Sequence, residues 1–143
     1  MSGRVMMKII EEKRLRWFQA FMPLYEKAVP IVRQIANIET LSAGELPVSP
    51  YTIVESNLTL MPILKAVKKM PKPKNTELAG IQREFEVTLS SCIKAAEAAV
   101  KYIELEERGI EDRVALGTII NSTVLAHEHI ESVSKRLASS REK

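Results

Sequence analysis

Glycine, aromatic residues, histidine and cysteine are all scarce in this chain. Its 143 residues include five glycines, three phenylalanines, three tyrosines, one tryptophan, two histidines and one cysteine. A single thiol, Cys92, cannot close an intramolecular disulfide. This excludes a disulfide-stapled scaffold and predicts a reducing, cytoplasmic setting. The few glycines build no phosphate loop: neither G-x-G-x-x-G nor a glycine-rich run ending in Lys-Ser/Thr occurs, and no alternating strand pattern supports one. No apolar run approaches the roughly 18 residues of a membrane span. Lys8, Glu11 and Glu12 break up the apolar stretch that a secretory signal would need, so no leader is expected. No motif ties the residues to a known family.

What is present suits one globular domain. Apolar residues make up 45% and charged residues 27%, and a chain of this length buries roughly 70% of its unfolded surface as a single unit. One domain over 1–143 is therefore expected. The formal charge of +3 selects no partner by itself.

Proline and glycine divide the chain into four helical segments, about 5–40, 50–69, 76–108 and 110–138. In the first, Ile10, Trp17, Phe21, Leu24, Ala28, Ile31, Ile35 and Ile38 recur at helical spacing, with Arg14 as a polar interruption. Pro23 and Pro30 each remove a backbone donor and crowd the carbonyl four residues earlier, which predicts kinks or a break at Met22-Pro23. The stretch LSAGELPVSP reads as a loop. Ser49 and Pro50 then supply a cap and a first-turn proline. Val54, Leu58, Met61 and Leu64 form one side of that second helix, and KKMPKPKN ends it.

The last two segments carry the strongest pattern. Ile81, Phe85, Leu89, Cys92, Ala96, Val100 and Ile103 form one stripe, and Leu116, Ile119, Thr123, Ala126, Ile130, Val133 and Leu137 another. Gly109 between them predicts a tight turn and an antiparallel helical hairpin. The expected fold is all-α: an up-down-up-down four-helix bundle with proline-kinked N-terminal helices and this long C-terminal hairpin. Reflection about Gly109 sets Phe85 opposite Val133 and Cys92 opposite Ala126. The middle layers are then small, around Ala95, Ala99 and Thr123, and the aromatic group Trp17, Phe18, Phe21 and Tyr25 is expected to fill them from the first segment.

Chemistry is thinly represented. Cys92, His127 and Glu131 are the right residue types for a thiol with a base and an orienting carboxylate, but mid-helix amides are already bonded and build no oxyanion hole. In AHEHIE, His127 and His129 stand two apart, about 200° around a helix, so they cannot share one ion. Neither has a glutamate three residues before it, as di-metal bundles require. No catalytic activity, metal or cofactor is expected. Lys65, Lys68, Lys69, Lys72 and Lys74 form a basic patch, but it lacks an aromatic residue to stack a base and reads as a solvated linker, against a nucleic-acid partner.

Two functions remain. The favoured one is a non-catalytic interaction or assembly module that associates with itself or with a partner protein, because long seams invite partner helices. The alternative is a small apolar-ligand binding or sensing bundle. Its pocket would lie between the C-terminal hairpin and the first helix, lined by Trp17, Phe21, Cys92, Ala95, Ala99, Thr123 and His127.

Overall fold

Polar side chains set the start of four helices in the computed structural model, which describes residues 3–142. Asn37, Ser49 and Asn75 accept backbone N–H bonds at the starts of α2 (Ile38–Ser42), α3 (Pro50–Lys69) and α4 (Thr76–Glu106). The Asp112 carboxylate does the same for α5 (Arg113–Glu142), accepting from the Ala115 amide at 3.0 Å. Gly109, at φ +77°, ends α4: its own amide reaches Glu106 and the next amide, of Ile110, reaches Leu105. That is the paired closure a left-handed glycine permits.

The first helix, α1 (Gly3–Ile35), runs unbroken through Pro23 and Pro30. Of the two outcomes expected at Met22-Pro23, a kink or a break, the break is excluded. Both prolines are exposed, as are Gln19 and Glu26, whose carbonyls the rings deprive of a donor. Water can satisfy those carbonyls, so the cost falls where it is lowest. The interruption comes later, at Ala36-Asn37, where Asn37 starts α2.

The four long helices, α1, α3, α4 and α5, pack around one core, so the all-α helical bundle is present. Among the described residues, no helix is long and apolar enough to cross a membrane. α4 and α5 run antiparallel: Glu84 meets Ser132 while Glu77, two turns earlier, meets Ser140. This alignment lies within one turn of the reflected pairing. α1 also runs antiparallel to α5, since Arg14 donates to the Ser140 carbonyl, Tyr25 bonds Ser134, and Arg33 meets Glu131 at 3.4 Å. α3 lies along α4, and the short α2 lies on α5.

Candidate functional site

The antiparallel course of α1 decides where its aromatic residues go. Trp17 stacks on Phe21 at 4.5 Å between centroids, and Phe21 meets the edge of Phe85 at 5.1 Å. Tyr25 also reaches Phe85, at 6.0 Å. The Trp17 indole donates to the Gln82 side-chain carbonyl at 2.9 Å, and the Gln82 amide faces the Val67 and Met70 carbonyls at the end of α3. Gln82 thereby joins three helices inside the core. It was missed as a polar junction, although its position in the spacing Leu78, Gln82, Phe85, Leu89 placed it on the buried face.

Trp17 and Phe21 thus assemble beside Gln82 and Phe85. Cys92 lies seven residues beyond Phe85 on α4, about 10 Å further along the axis. Cys92, Ala95, Ala99 and Thr123 have no exposed surface. Ile35, Ile53 and Leu60 belong to the same buried cluster as Cys92, Ala95 and Ala99. The Thr123 hydroxyl donates back to the Ile119 and Ile120 carbonyls within its own helix. Burial pushes the Cys92 thiol up to about 12, the direction opposite to nucleophilic activation. His127 is half-buried on α5.

The carboxylates considered for chemistry are engaged elsewhere. Glu131 pairs with Arg33, not His127. Glu84 accepts from the Ser132 hydroxyl at 2.6 Å, from His129 Nδ1 at 3.0 Å and from Arg136 at 3.2 Å. Burial alone would raise the Glu84 carboxyl, but the hydrogen bonds from Ser132, His129 and Arg136, with the Arg136 charge, hold it below the usual carboxylate value. No group of three metal-ligating side chains converges among the described residues.

Single large apolar residues are exposed at several places, Leu58 and Val114 most of all, but at the start of α1 a run of them is uncovered. Arg14 marks its boundary: the guanidinium lies over the Phe18 ring and donates to Ser140 in the last turn of α5. Residues 3–13 extend beyond that point, a stretch of about 16 Å. Ile10 and Met6 precede Trp17 by seven and eleven residues, each within about 20° of whole turns. They therefore continue the face that is core from Trp17 onward. Here it is largely open: Met6 is 47% exposed, Met7 64% and Ile10 56%, whereas Trp17 is 5% and Phe21 0% exposed. Compared with known protein families, curated proteins and solved structures, the chain matches none of them.

Proposed function

We propose that the protein is a non-catalytic, cytoplasmic assembly module that dimerises through the overhanging start of α1. The observation that carries this reading is the continuation of the core stripe into uncovered surface at Met6 and Ile10. An exposed apolar row of this kind is stabilised by a second helix that covers it. A second copy presents the same uncovered row, so an antiparallel two-fold pair sets Met6 of each copy beside Ile10 of the other. The lone buried thiol of Cys92 is compatible with a reducing compartment.

Sedimentation equilibrium over a wide concentration range tests the reading. The wild-type chain is expected to dimerise, and Met6→Lys with Ile10→Lys to leave a folded monomer. A wild-type chain that stays monomeric at the highest concentration overturns it.

A further inference from the structure

The outer face of α4 carries a groove that neither the core nor the α1 overhang explains. It has a volume of about 360 Å³ and is lined by Lys68 of α3, by Arg83, Ser90, Ser91 and Lys94 of α4, and by Ser122 of α5. A second hollow of about 280 Å³ shares Lys68 and Arg83 and adds Lys72. The sequence offers Lys68 and Lys72 only as part of a lysine-rich linker. Folding sets them beside Arg83 and Lys94, which lie far from the linker in the chain.

The charge of the groove points to an anion, and an open hydroxyl beside the cations suits one. Lys68, Lys72, Arg83 and Lys94 make no ion pair among the described residues, and Glu86 is the one acid that lines both hollows. Four cations against one carboxylate leave an excess of positive charge, and an anion seated among them reduces their mutual repulsion. Ser122 is 4% exposed yet its hydroxyl makes no hydrogen bond among the described residues, unlike Thr118 and Thr123, which bond back to their own helix. Ser122 lines the groove and its hydroxyl is open to it, so a ligand oxygen there can take the place of water as its partner.

We propose that this groove binds a compact, multiply charged phosphate, gripped by Lys68, Arg83 and Lys94 and accepting a hydrogen bond from Ser122. A guanidinium, ammonium groups and hydroxyls converging from three helices match an anion with several equivalent oxygens. No aromatic side chain lines either hollow, so nothing there stacks a base, and a compact phosphate is favoured over a single-stranded nucleic acid. This site is independent of the assembly reading.

Calorimetric titration of the full chain with inorganic tripolyphosphate at about 0.15 M salt tests the proposal. Saturable 1:1 binding is expected. Lys68→Ala and Arg83→Ala should each weaken it by roughly tenfold, and Ser122→Ala, which keeps the site packed, by several-fold. Lys27→Ala and Lys135→Ala remove the same charge outside the groove and should leave binding unchanged. Glu86→Gln should strengthen it, whereas Glu45→Gln should not. Absence of saturable binding, or equal loss in groove and control variants, overturns the proposal. An oligonucleotide that binds more tightly than tripolyphosphate through Lys68 and Arg83 also overturns it, in favour of a nucleic-acid backbone.

Discussion

The α4–α5 hairpin and α1 are built from helices of nearly equal length, 31, 30 and 33 residues, but they are held by opposite means. The hairpin buries one face from Leu78 and Ser140 at its open end to Ala99 and Ala115 near the turn, with small residues at its centre and polar clasps at Glu84 and Glu77. α1 is held by bulk: Phe21 and Tyr25 pack on Phe85, Trp17 stacks on Phe21, and ahead of Arg14 its apolar face is largely uncovered. Where small residues let two backbones approach, a helix pair is committed along its length. Where large side chains anchor a helix locally, the rest of it stays available to a partner.

The contrast can be broken most severely at the aromatic anchor. Phe85→Ala should cost about 3–5 kcal/mol in urea unfolding, because it removes the ring on which Phe21 and Tyr25 both pack. Ala99→Leu probes the other packing mode and should destabilise by about 1–3 kcal/mol. A neutral outcome there would show spare room in the small layer and revive the ligand-pocket alternative.

The Glu84 clasp gives a smaller, pH-dependent effect. Because the Glu84 carboxyl titrates below its ordinary value of 4.5 in the folded chain, its ionised form contributes stability above that value. The contribution is lost as pH falls through the lowered folded value. The difference in urea midpoint between wild type and Glu84→Gln should therefore shrink as pH drops below about 5. The smallest effect is expected on the overhang. In the monomer, Ile10→Lys should change stability by no more than about 0.5 kcal/mol, although Ile10 shares its helix face with Phe21. A large loss would mean that residues 3–13 are held by the bundle after all.

Local signals were the legible part of this fold. Ser49-Pro50 placed the start of α3, and Gly109 placed the hairpin turn, since each acts within a few residues of itself. Proline alone left kink and break open at Pro23, because the cost of a helical proline depends on which way its face points, and both prolines face water. Asn37, with Glu39 two residues later, was a readable cap that marked the true interruption. The aromatic residues were correctly seen as a group, but their seat depended on how α1 runs against α5. That relation, like the Gln82 junction and the unpartnered Ser122, is fixed by tertiary contact and has no local signature.

The Glu84 clasp bears on a choice that packing alone leaves nearly undecided. Alanines recur at 95, 96, 98 and 99 on α4, so sliding α5 by one helical turn would again set small residues against small residues at little cost. The donors at His129, Ser132 and Arg136, with Ser140 on Glu77, meet their acceptors in one alignment only. A displaced hairpin would leave Glu84 partly buried without them. The carboxylate thus acts as a detent, giving the chain one resting position among several that its alanines would otherwise accept.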